Sequence, residues 1–189
     1  MPLASSVPLS DHFTAFELGA DKPEANDAIV TNLRFSAGRL ERIRAALNSR
    51  LQVNTSVHRN RGFRTPEENA AVDGSPTSDH VKGLATDFVP LDFPGNMAEA
   101  YARLRDTEIG PFDQIIFYPA SRYIHAGFDG NRREFRVKLF EGTGGTPLIG
   151  SDFAQTLAGS VVYAAQKNPV GSIVIVAATV LFLVAATKK

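Results

Sequence analysis

The 189 residues allow one ordinary domain and an appendage, and 20 Lys and Arg balance 20 Asp and Glu. That balance, with no Lys/Arg-rich run, excludes nucleic acid as an expected partner. The absence of cysteine excludes disulfides and thiolate ligands, so any metal must rest on His, Asp and Glu.

The opening segment MPLASSVPLSDHF has neither a basic n-region nor a long apolar run, so no cleaved signal peptide is expected there. Residues 26–51 place Leu33, Ala37, Leu40, Ile43 and Leu47 at three- and four-residue steps, the pattern of an amphipathic helix with arginines on its wet face. QVNTSV (52–57) predicts a short strand. Pro66 predicts a turn followed by one or two helical turns, and the polar stretch DGSPTSDH after it predicts a loop. LATDFVPL (84–91) alternates as a strand lining a site would, and 96–106 predicts a second amphipathic helix.

Three apolar runs follow, at 113–118, 122–128 and 133–140, separated by PAS and DGN. They predict consecutive antiparallel strands. EGTGGTPLIGS (141–151) has the composition of a linker. Residues 152–167 carry Phe153, Leu157, Val161 and Ala165 on one helical face, and Asn168-Pro169 ends that pattern. Residues 170–186 are uncharged and mostly apolar, with Lys188 and Lys189 behind them, which predicts a transmembrane helix at the short end of the spanning range. Lys167 on the other flank leaves the orientation open. The expected architecture is an α+β domain over 1–140, a small antiparallel sheet with flanking helices. A linker over 141–151 and a single-pass C-terminal anchor within 152–189 complete it.

Three residues can be joined into one site. His80 ends the loop, Asp87 sits on the next strand, and His125 lies within RYIHAGF. Zinc accepts imidazole nitrogen and carboxylate oxygen, and two histidines with one carboxylate leave a fourth position open for water. Gly83 and Ala85 are small enough for a metal and a substrate to approach the backbone. A strand histidine also suits a hydrogen-bonded core role, and an aspartate before an apolar run also suits a turn or cap. His12 and His58 read as surface or packing residues.

At this point the chain shows a resemblance. GFRTPEENAAVDGSPTSDHVKGLATDF (62–88) resembles the zinc D-Ala-D-Ala carboxypeptidase family, relatives of the lysostaphin-type and hedgehog-type domains. The family pattern is matched by Gly62-Phe63-Arg64, by Pro66 with Asn69, and by Ser78, His80, Gly83, Ala85 and Asp87 in order. FDQIIFY and YIHAGF resemble the family's later strand pair, and HFTAFEL (12–18) resembles the opening of stand-alone, often phage-encoded members. The resemblance covers roughly residues 10–140 and implies a small α+β zinc fold acting on peptidoglycan stem peptides or cross-bridges. It implies His80, Asp87 and His125 as zinc ligands, with Arg64 and Ser78 next to the substrate. Arg64 is then expected to pair with a carboxylate or polarise the scissile carbonyl, while Ser78 equally suits a loop cap.

One family feature is missing. Members place a base near the third ligand, either a histidine two residues before it or a glutamate upstream. Here Tyr123 holds the first place, Arg122 lies three residues before His125, and the earlier strand reads IIFYP. Tyr118, Asp113 and Asp79 are the substitutes within reach. The expectation is a membrane-anchored zinc peptidase, phage-encoded for entry or lysis, in a virion membrane or a bacterial inner membrane. The alternatives are a non-catalytic zinc-fold binding module and a structural membrane protein of a virion.

Overall fold

A computed structural model describes residues 1–53, 62–106, 114–118 and 122–130, and the backbone of 134–137. The segments 107–113, which contains Asp113, and 54–61, which contains His58, lie outside the described residues. So do the predicted linker, the amphipathic segment and the predicted transmembrane helix. Among the described residues, no helix is long and apolar enough to cross a membrane.

The N-terminal arm closes on itself through a Pro8–Thr14 bridge and leads into α1, Ala15–Leu18. Thr14 and Glu17 form a reciprocal capping box there, satisfying two orphan amides of a one-turn helix. Helix α2, Asp27–Leu47, is the long amphipathic helix of the sequence pattern. Asn26 caps it by accepting from the Ile29 amide at 3.0 Å. It stops at Leu47 rather than near residue 51 because Asn48 turns left-handed, at φ 47°, a conformation asparagine tolerates. Its stripe of Leu33, Ala37, Leu40, Ile43 and Leu47 is fully buried.

The five strands among the described residues are β1 (Leu51–Gln52), β2 (Ala85–Pro90), β3 (Gln114–Tyr118), β4 (Tyr123–Gly127) and β5 (Glu134–Val137). They form one sheet in the order β1-β2-β4-β3-β5. Pairs β1–β2, β2–β4 and β3–β4 are antiparallel. The last run departs from the sequence expectation: β5 runs parallel to β3 and is not paired with β4. Both edges of β4 are already taken, by β2 and β3. The chain leaves β4 at Gly127, the end of the sheet at which β3 begins with Gln114, so β5 enters at that same end. Of the strand expected over 52–57, Gln52 is paired, with Leu51 before it, and 54–57 lie outside the described residues.

One sheet face carries Phe88, Ile115, Phe117, Ile124 and Ala126 against α2 and α4 (Met97–Asp106). Ile124 has no exposed surface, and Ile124→Ala costs about 2–5 kcal/mol by the usual penalty for a truncated core side chain. Because side chains alternate along a strand, the other face carries Asp87, His125 and Gln114. The remaining described elements are α3 (Pro66–Ala70) and a 3₁₀ turn, Asp79–Lys82.

Candidate metal centre

The ladder between β2 and β4 sets Asp87 directly opposite His125. His80 arrives from the 3₁₀ turn, which the polar sequence disguised as a plain loop. Ser78 opens that turn, its hydroxyl accepting from the His80 amide at 3.4 Å. Gly83 closes it at φ 70°, where a Cβ would also come within 3.1 Å of Leu33 Cγ. The turn and its left-handed exit therefore account for the spacing between His80 and Asp87.

The three side chains are buried, and their inner atoms form a small triangle. His80 Nε2 lies 3.2 Å from His125 Nδ1 and 3.3 Å from Asp87 Oδ1, and His125 Nδ1 lies 2.8 Å from Asp87 Oδ1. Ligand bonds of 2.0–2.1 Å around a tetrahedral zinc give ligand–ligand edges of about 3.3 Å. The donor set and its spacing fit that ion. His80 Nδ1 lies 3.0 Å from the Gly62 carbonyl, which only accepts, so the proton sits on Nδ1 and the Nε2 lone pair faces the triangle. Gly62 is held close: a Cβ there would lie 3.2 Å from both Leu18 O and Thr86 Oγ1.

Burial pushes the His80 imidazole below its ordinary pKa, and the charges of Arg64 and His125 act in the same direction against the attraction of Asp87. His80 is thus the neutral form that ligates metal. Burial alone would raise the Asp87 carboxyl, but its surroundings favour the charged form and hold it well below its usual range. Arg64 Nη2 donates to Asp87 Oδ2 at 2.5 Å and lies 3.1 Å from His80 Nε2. Its charge compensates the buried carboxylate from outside the triangle, and its Nε has no hydrogen-bond partner among the described residues.

The other sequence candidates fall in different places. Ser78 caps the 3₁₀ turn. Asp79 is buried beside Gly127, bonded to Lys82 at 3.2 Å, and Lys82 in turn reaches Asp129 at 2.6 Å. A Cβ on Gly127 would lie 3.3 Å from Asp79 Oδ2 and 3.8 Å from His125 Nε2. Tyr118 and Tyr123 face each other across the ladder one step along from His125. Their rings stack at 4.5 Å and 18°, half-buried, at the place where the family resemblance expects a base. Arg122 is exposed at φ 54°, a left-handed position in the turn before β4. Two partners went unread in the sequence, the Gly62 carbonyl and Gln114, whose Oε1 lies 3.0 Å from His125 Nε2. An amide opening an otherwise apolar strand, on the face shared with His125, is the signal that marks Gln114.

With this geometry in place, the comparison with known proteins is direct. A sequence model of the Peptidase M15 family matches residues 11–127. The chain belongs to the Peptidase M15 family. The match takes in all three corners of the triangle, Arg64 and the strand pair β3–β4. Peptidase M15 enzymes are zinc-dependent, and this member holds a His–Asp–His candidate metal site. No curated protein and no solved structure matches the chain.

Proposed function

We propose that this M15 peptidase hydrolyses peptide bonds in bacterial peptidoglycan stem peptides, with His80, Asp87 and His125 holding zinc. The observation that carries the reading is the buried triangle of acceptor atoms at 2.8–3.3 Å. Zinc, when bound, supplies Lewis acidity toward a carbonyl oxygen and makes water more acidic. Arg64 orients Asp87 by holding Oδ2, so that Oδ1 alone faces the centre. Its permanent charge also favours negative charge developing on a peptide oxygen nearby.

Proton delivery is the weak step. A phenol gives a proton far more readily than it takes one near neutral pH. Tyr118 therefore suits protonation of the leaving amine better than abstraction from water, and Asp113 is the remaining carboxylate candidate. A missing general base typically costs about 10²–10⁴-fold, so turnover is expected to be slow. The stacked tyrosines in place of a base favour one second reading, a zinc-fold module that binds muropeptides without cleaving them.

For location, the proposal is a single-pass anchor over 170–186, in a virion membrane or a bacterial inner membrane, with a phage-encoded role in entry or lysis. The uncharged run with terminal lysines supports the anchor, and the HFTAFEL opening supports the phage origin. Full-length protein should float with liposomes, and deletion of 170–186 should abolish flotation. A full-length chain that stays at the bottom of the gradient removes the anchor. For activity, zinc-loaded full-length protein is incubated with purified muropeptides and the products are read by mass spectrometry. Cleavage that disappears in chelator and in His125→Ala supports the peptidase. Stoichiometric zinc with muropeptide binding and no product moves the assignment to the binding module.

A further inference from the structure

We infer that Gln114 is a positioning residue that fixes which nitrogen His125 offers to the metal. The inference rests on the zinc reading above and goes beyond it by assigning the outer partner that keeps the site competent.

Gln114 opens β3 on the same sheet face as His125 and is almost fully buried. Its Oε1 lies 3.0 Å from His125 Nε2. A carbonyl oxygen only accepts, so this bond places the His125 proton on Nε2 and leaves the lone pair on Nδ1. Nδ1 is the atom 2.8 Å from Asp87 Oδ1 and 3.2 Å from His80 Nε2. The Gly62 carbonyl acts on His80 in the mirror sense, taking the Nδ1 proton and freeing Nε2. The two histidines thus present opposite nitrogens, and both protons point out of the cluster.

The alternative tautomer shows what Gln114 prevents. With its proton on Nδ1, His125 would donate to Asp87 across those 2.8 Å, an ordinary buried His–Asp hydrogen bond. That bond would neutralise the need for a cation and cover the ligand atom with a proton. With the proton on Nε2, the Nδ1 lone pair faces Asp87 Oδ1 with no proton between them; Arg64 Nη2, 3.1 Å from His80 Nε2, meets the cluster at its rim, and the converging acceptors favour a positive ion among them. Gln114 therefore selects between a metal site and a closed hydrogen-bonded pair.

A second observation supports the assignment. The residue opposite Gln114 in the ladder is Gly127. Its backbone is not left-handed, so conformation does not require glycine there. Space does: an added Cβ would lie 3.3 Å from Gln114 Cβ and 3.8 Å from His125 Nε2. The missing side chain lets the amide reach across the ladder to the imidazole.

The test uses the full-length chain and three variants, Gln114→Leu, Gln114→Glu and Gly127→Ala. Zinc affinity is measured by competition with a chromophoric chelator. The proton on His125 is located in zinc-free protein by long-range ¹H–¹⁵N NMR. Wild type should carry it on Nε2. Gln114→Leu should shift it toward Nδ1 and weaken zinc about 10–100-fold, as loss of an outer partner does. Gln114→Glu, which still accepts from Nε2–H, should keep both the tautomer and the affinity, and Gly127→Ala should weaken zinc less than the leucine variant does. An Nδ1–H tautomer in wild type overturns the inference, as does a folded Gln114→Leu that binds zinc like wild type. If Gln114→Leu does not fold, loss of zinc by a folded Gln114→Glu overturns it instead. Should wild type bind no zinc, the peptidase reading fails, while the tautomer measurement still decides the role of Gln114.

Discussion

Among the described residues, histidine meets carboxylate in two places, and one of them has the makings of a site. On the outer side of α2, His12 Nδ1 meets Glu41 Oε2 at 2.8 Å beside an open groove of about 410 Å³. Glu41 also receives the Ser10 hydroxyl at 2.7 Å, the His12 amide at 2.9 Å and Arg44 at 3.4 Å. Along the same groove Arg50 grips Asp92 with two bonds, of 2.7 and 2.9 Å. Both carboxylates there face donors, and half of the His12 side chain remains in water. On the sheet, His80, Asp87 and His125 are as close together, yet buried, with their outward protons taken by Gly62 and Gln114. Closeness of residue types is common to both. What separates them is that donors surround a partly solvated carboxylate in the first, while in the second three buried ligand atoms converge, with Arg64 the donor at their rim.

The sharpest way to break this contrast is to remove one cation from the buried site and one from the open groove. Arg64→Ala leaves the buried Asp87 carboxylate without its charged partner, and losing one side of a buried pair costs about 3–5 kcal/mol. Arg50→Ala removes the partner of an exposed aspartate that water solvates, so its unfolding midpoint should stay close to wild type. Chemical denaturation in chelator measures both. Equal losses would mean that burial does not distinguish the clusters.

The second test asks which histidines answer to zinc. A ligand at about 100–1,000 times its Kd stabilises the folded state by roughly 3–4 kcal/mol. Wild type and His12→Ala should both gain that increment when zinc replaces chelator in a thermal melt. His80→Ala and His125→Ala should gain none of it, and metal analysis should find them empty. A zinc response in His125→Ala that equals wild type would remove the triangle as the site.

The same contrast explains what the sequence disclosed. The buried stripe of α2 repeats at three- and four-residue steps, so Leu33 to Leu47 announced themselves. The strands β2, β3 and β4 were legible as short apolar runs with turn residues between them. His80, Asp87 and His125 were legible because their chemistry is rare in a chain with four histidines, and because the small residues between His80 and Asp87 fit one motif. The 3₁₀ turn was hidden since four residues are too few to show a period. The parallel placement of β5 was hidden because it depends on which sheet edge is free, a fact about three strands at once. Outer partners are the least legible of all. A carbonyl such as that of Gly62 has no letter in the sequence, and Gln114 reads as an ordinary polar residue until the ladder sets it beside His125.

The smallest expected effect belongs to the partly solvated cluster and is read by pH. Burial by itself raises the Glu41 carboxyl, but hydrogen bonds from Ser10 and His12 outweigh it and set the pKa below the ordinary 4.5. A carboxyl depressed in the folded state binds fewer protons there than in the unfolded chain. Its contribution is therefore complete above about pH 4.5 and fades as the pH falls through the lower folded value. Comparing wild type with Glu41→Gln by denaturant unfolding should show a gap at neutral pH that narrows as the solution is acidified through this window. The size should be no more than about 1 kcal/mol, since the pair is partly solvated. The narrowing must appear at the acid end. A gap that instead widened on acidification would mean that Glu41 is held in its protonated form, and the donors around it would then be serving something other than a carboxylate.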